Sequence, residues 1–152
     1  VIAELCKRHT TENKNKVLQQ ITRMITRTNY SECRPFVLSL LYSGANANIC
    51  NHIKYNTHHV DISYLDFSLL HKALIQNDYE LCIRLLLDFN ADPNQLHPNK
   101  YPLFFQVKTT VLADFFFKKG ADFNARDKEG NNVLCYLHQL SPELIQFYID
   151  CG

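Results

Sequence analysis

The sequence predicts an all-α solenoid of about four stacked helix-turn-helix units joined by short hairpin loops, running as a single domain through residues 1–152. Three observations predict it. A turn string recurs as Gly44-Ala45-Asn46-Ala47-Asn48, Asn90-Ala91-Asp92-Pro93-Asn94 and Gly120-Ala121-Asp122-Phe123-Asn124, with Gly152 where a fourth would begin. An apolar run precedes each string: Leu40-Leu41-Tyr42, Leu85-Leu86-Leu87, Phe115-Phe116-Phe117 and Tyr148-Ile149. The turn residues at 44, 90, 120 and 152 are separated by 46, 30 and 32 residues. Self-similarity at a period of roughly 33 marks a stack of supersecondary units, and the one long interval marks an insertion.

The first unit, about 14–50, opens at Lys16-Val17-Leu18-Gln19-Gln20-Ile21 and carries an extra stretch from Asn29 to Pro35. Before it, Val1 to Lys7 read as the second helix of a preceding unit, so the chain is expected to be a piece of a longer array. An inserted loop covers 49–66. Cys50, His52, His58 and His59 in it are zinc-ligand types, but they lack the paired spacings of a metal site, and a solvated polar loop explains them as well. The second unit, about 66–96, opens at Ser68-Leu69-Leu70-His71-Lys72-Ala73 and predicts helices over 68–78 and 80–89. At helical spacing Leu70, Ala73 and Leu74 face the partners of a second helix that supplies Leu81, Ile83, Leu86 and Leu87. The third unit, about 99–126, opens at Tyr101-Pro102-Leu103-Phe104. The fourth, about 130–152, opens at Asn132-Val133-Leu134-Cys135-Tyr136-Leu137, and its Ser141-Pro142-Glu143 gives a hydroxyl cap, a first-turn proline and an acid at a helix start. Gly44, Gly120 and Asn90 are expected at positive φ, which glycine and asparagine adopt at least cost. Asp92, Asp122, Asn94 and Asn124 are expected to bond local backbone in the turns.

Composition removes several functions. With 46% hydrophobic residues the chain is no disordered segment, and no stretch approaches the roughly 20 apolar residues of a membrane span. The net charge of +1 supplies no global attraction to nucleic acid. A surplus of basic residues within 1–34 reads as a solvated face. Six scattered cysteines contain no Cys-x-x-Cys pair, with Cys82 and Cys135 expected in the interior as small hydrophobes. That usage points to a reducing compartment, cytoplasmic or nuclear. Nucleophile elbow, phosphate loop and acidic metal triad are missing, so no cofactor and no catalytic residue is assigned.

The turn string, the Leu70-His71-x-Ala73 landmark and their spacing resemble the ankyrin repeat, whose signature is Thr-Pro-Leu-His-x-Ala followed by a leucine-rich helix and a Gly-Ala-Asp-x-Asn turn. The resemblance covers about 14–152 and is best at 66–94. Its irregular units, rich in Asn, Tyr and Phe, are similar to ankyrin proteins of large DNA viruses and to substrate receptors of ubiquitin ligases. The resemblance implies a non-enzymatic scaffold or adaptor, monomeric, that binds another protein on a concave face, with neither nucleic acid nor membrane as partner. The alternatives are a substrate-recruiting domain of a ubiquitin-ligase receptor, host or viral, or a targeting domain attached to a catalytic domain outside the sequence. It implies a structural role for His71. Carried over by motif, its partner-contacting positions are Tyr64, Leu65 and Phe67 ahead of Ser68, and His97 and Lys100 ahead of Tyr101. Lys128, Glu129 and Asn131 follow around Gly130, and Gln76 and Gln139 stand where first helices turn outward. Tyr64 and Phe67 are the expected anchors, since aromatic side chains dominate interface hot spots; equally, Leu65 and Phe67 seal the loop onto the stack.

Overall fold

A computed structural model describes residues 10–25, 28–51, 67–97 and 99–151. The described chain is helical, as the sequence predicts, apart from one pair of two-residue strands. It falls into two compact units, Val1–Asn77 and Asp78–Gly152.

In the first unit, helix α1 (Thr11–Met24) starts at Thr10, whose hydroxyl accepts from the Asn13 amide, and carries Glu12 in its first turn, where acid favours the positive end of the helix dipole. Leu18, Thr22 and Ile25 form its buried stripe, and the Thr22 hydroxyl is satisfied by donating to the Leu18 carbonyl at 2.8 Å. Helix α2 (Tyr30–Tyr42) packs on α1 and contributes Val37, Leu40 and Leu41 to the core. Lysine tips close two helix ends: Lys14 donates to the Ser43 carbonyl at 2.6 Å, beyond α2, and Lys72 to the Ile25 carbonyl at 3.0 Å, beyond α1. Orphan carbonyls at a C-terminus need such donors. Strands β1 (Cys50–Asn51) and β2 (Phe67–Ser68) pair antiparallel and bring the two ends of the inserted segment together. Ser68 then caps α3 (Leu69–Ile75), its hydroxyl accepting from the His71 amide at 3.1 Å. His71 is buried with Leu69, Leu70 and Ala73.

In the second unit, α4 (Tyr79–Leu87), α5 (Thr110–Lys118) and α6 (Pro142–Cys151) pack in sequence order, α4 on α5 and α5 on α6. Each start is capped as its sequence dictates, by the side chains of Asp78, Thr109 and Ser141. Between them lie two 3₁₀ segments, Leu103–Gln106 and Val133–Gln139. Phe104, Phe123 and Tyr148 fill the space between the elements, with Phe123 meeting Tyr148 edge-on at 4.9 Å and Phe104 tilted at 5.0 Å.

Three local expectations change. Helices read at 68–78 and 80–89 run only Leu69–Ile75 and Tyr79–Leu87, because Asn77 takes a φ of 55° and breaks the chain before the Asp78 cap. In α4 the buried positions are Leu81, Cys82, Leu85 and Leu86; Leu87 is 43% exposed and Ile83 half-buried. A helix beginning at Tyr79 turns 81, 82, 85 and 86 inward as one face and leaves 87 past its edge. Cys135, expected inside, is exposed, since a 3₁₀ segment of three residues per turn that buries Val133 cannot also bury the residue two along.

The turns behave as read at Gly44, Asn90, Gly120, Asp92 and Asp122, whereas the Asn94 side chain, expected to bond local backbone, reaches instead to the Gly120 carbonyl and the Asp122 amide of the next turn. Gly44, Asn90 and Gly120 hold φ of 97°, 51° and 86°. The alanine following each is buried and donates its amide back into the finished helix, to Leu40, Leu85 and Phe116. Next, Asn46, Asp92 and Asp122 each accept from the amide two residues on, at 2.9, 2.8 and 3.0 Å. Three copies of one turn, reached by three different apolar runs, are the structural repeat.

Candidate functional site, two hairpin tips of the second unit

Beyond the Asp92 turn the chain makes a hairpin that the Leu96–Pro102 bridge closes. The His97 amide donates to the Tyr101 carbonyl at 2.8 Å and the Lys100 amide to the His97 carbonyl at 2.7 Å, with Lys100 held at φ 66°. His97 stacks on the Tyr101 ring at 4.1 Å, and its Nδ1 accepts from the Asn99 amide at 3.0 Å. Partial burial favours its neutral form and draws its pKa down. The Tyr101 hydroxyl accepts from Gln106 Nε2 at 2.9 Å.

The next hairpin is organised by one carboxylate. Asp127 Oδ1 accepts from the amides of Glu129 and Asn131 at 2.8 and 2.9 Å. Its Oδ2 accepts from the Tyr136 hydroxyl at 2.5 Å and more distantly from Asn131 Nδ2. The Tyr136 bond, aided by the two amides, holds the Asp127 carboxyl below its ordinary range although burial opposes this, and raises the Tyr136 phenol in return. Gly130, at φ 85°, completes the turn, and Arg126 Nη1 donates to its carbonyl at 2.7 Å.

Between the two tips lies an open cavity of about 280 Å³ lined by Asn99, Tyr101, Asp127, Lys128, Glu129 and Tyr136. The repeat turns at 90–94 and 120–124 are joined as well. Asn94 donates to the Gly120 carbonyl at 3.0 Å and accepts from the Asp122 amide at 2.8 Å, so one turn is hydrogen-bonded directly to the next.

The structure gathers some of the sequence-predicted contact residues and not others. Lys128 and Glu129 border the cavity, with their charged groups 3.6 Å apart and both largely exposed. His97 and Asn131 stand in the same two hairpins as turn-forming groups, and Lys100 is exposed at the tip of the first. Gln139 is exposed at the end of the second 3₁₀ segment, its Nε2 3.1 Å from His138. Gln76 belongs to the first unit, half-buried at the end of α3. Tyr64 and Leu65 lie outside the described residues, as do His52, His58 and His59; Phe67 is placed by its backbone in β2. Among the described residues no group of three His, Cys, Asp or Glu could hold a metal ion, and no helix is long and apolar enough to cross a membrane.

Sequence reasoning passed over Asp127, Tyr136, Tyr101 and Asn99. Asp127 had a signal: an aspartate at the first position and a glycine at the fourth of Asp127-Lys128-Glu129-Gly130 favour a type I turn. Tyr136 had none, because its bond to Asp127 spans nine residues and depends on the kink at Tyr136 itself, φ −104° and ψ 31°. Compared with known protein families, residues 66–98 match the model of the ankyrin repeat. No curated protein matches the chain significantly.

Proposed function

We propose, from the match of residues 66–98 to the ankyrin repeat, a protein-interaction module, that the chain is a non-enzymatic scaffold whose hairpin tips hold one partner protein. We propose too that its units run about 14–50, 66–96, 99–126 and 130–152. Repeats of this kind are typically non-catalytic, and their hairpins and first helices form the concave face of the array. The observation that carries the reading is the pair of tips around Asn99 and Lys128, which are firmly built yet present their polar side chains outward. A surface held rigid by its own hydrogen bonds loses little freedom when a partner docks.

In this reading His97, Lys100, Lys128, Glu129, Asn131 and Gln139 serve the second unit's tips. Tyr64, Leu65, Phe67 and Gln76 form a separate contribution from the first unit, with the aromatic pair as anchors. Affinity capture with the wild-type chain and two variants tests this. Lys128→Ala with Glu129→Ala, and Tyr64→Ala with Phe67→Ala, are each expected to lose a partner that the wild type retains. Undiminished capture by both variants, folded by circular dichroism, would overturn the assignment of the face.

A further inference from the structure

We propose that the cavity between the two hairpin tips is a receptor for an arginine side chain of the partner polypeptide. The inference rests on the interaction reading above and adds the chemistry the site selects. At about 280 Å³ the cavity falls just below the usual range of small-molecule sites, roughly 300–1,000 Å³, and it is open. Those dimensions suit one side chain entering from a neighbouring surface.

The lining specifies the kind of side chain. Asp127 and Glu129 are set against Lys128, leaving one formal negative charge at the rim. The Asp127 carboxylate is already satisfied by hairpin amides and the Tyr136 hydroxyl, so it contributes field more than a vacant acceptor. Glu129 differs, because the charged group within its reach among the described residues is Lys128, at 3.6 Å and on a side chain 66% exposed. Such surface pairs are weak and exchange readily. Arg126, in the same hairpin, turns instead to the Gly130 carbonyl, and Lys100, between the lining residues Asn99 and Tyr101, is exposed at the other tip.

The tyrosines supply the second half of the selection. Tyr101 and Tyr136 both line the cavity, and each is held in place, Tyr101 by His97 and Gln106, Tyr136 by Asp127 and by Phe105 at 5.6 Å. A guanidinium is planar, weakly hydrated and suited to lying on aromatic faces while its N–H groups reach a carboxylate. Because the Tyr136 hydroxyl donates its hydrogen to Asp127, its oxygen remains able to accept one from an incoming group. Phosphate or carboxylate ligands would meet two carboxylates here.

Titration of the ¹⁵N-labelled chain with the peptide Gly-Gly-Arg-Gly-Gly, followed by amide shifts, tests the proposal. Saturable shifts are expected at Asn99, Tyr101, Lys128, Glu129 and Tyr136. The same peptide with citrulline, which keeps the shape and loses the charge, is expected to bind about tenfold more weakly, and the glutamate peptide not at all. Glu129→Gln should weaken the arginine peptide about fivefold, while Lys128→Ala should strengthen it about two- to threefold by releasing Glu129. Absence of saturable binding, equal binding of citrulline, or weakening by Lys128→Ala would each overturn the arginine assignment. A partner whose capture is lost in Lys128→Ala with Glu129→Ala but unchanged in Glu129→Gln alone would sink this inference and leave the interaction reading standing.

Discussion

Asp127 shows how one side chain sets a functional surface. Its two oxygens gather two backbone amides, a carboxamide and a phenol, and so position Lys128 and Glu129 at the tip. The consequence is a pH dependence with a definite sign. Tyr136 holds the folded carboxyl below its ordinary 3.8. Stability from this bond is therefore complete above that value and is lost as pH falls through the lower, folded one. Tyr136→Phe is expected to lower the melting temperature at pH 7 and to flatten its decline below about pH 4, because the two states' pKa values are then closer. Thermal unfolding across pH checks this, and identical acid limbs for wild type and variant would contradict it. Asp127 was legible as a turn residue, whereas its partner was not: a bond between side chains nine residues apart leaves no periodic trace.

At the scale of elements, the recurring turn is the chain's most legible feature. Positive φ at Gly44, Asn90 and Gly120, a buried alanine, and an Asx bond follow from residue types whose conformational costs are local. Successive turns in the second unit are then stitched by Asn94, which bonds both the Gly120 carbonyl and the Asp122 amide. With each neutral bond contributing about 0.5–1.5 kcal/mol net, Asn94→Ala is expected to cost about 1–2 kcal/mol in urea unfolding and to speed exchange of the Asp122 amide. Wild-type exchange at Asp122 would show that the stitch contributes nothing. Element facing was less legible. The sequence assigns Leu87 and Cys135 to the interior, but packing against α5 chooses the 81, 82, 85, 86 face of α4, and a 3₁₀ geometry sets that of 133–139, so other residues turn inward. Apolar runs such as Leu85-Leu86-Leu87 state that something is buried and leave the choice of face to the packing partner.

At the scale of the molecule, the chain holds two compact units, each with its own buried apolar set. The second depends on aromatic packing: Phe104 has no exposed surface and touches Phe105, Phe123 and Tyr148. Phe104→Ala is expected to cost about 3–5 kcal/mol, seen as lost amide protection through 103–148, since a cavity there cannot close without moving three rings. Protection unchanged across those residues would show the cluster to be dispensable. The first unit relies on aliphatic packing under α1, α2 and α3 with lysine-capped helix ends.

By itself the sequence determined the helical repeat, the sites of its turns and the Ser141 cap, because these follow from the conformational preferences of single residues and from spacing along the chain. Only the tertiary structure decided which side chains border the cavity between the tips. Asn99, Tyr101, Asp127 and Tyr136 come from two hairpins and a kinked 3₁₀ segment. Their meeting is set by packing of elements distant in sequence, an energy that no local pattern encodes.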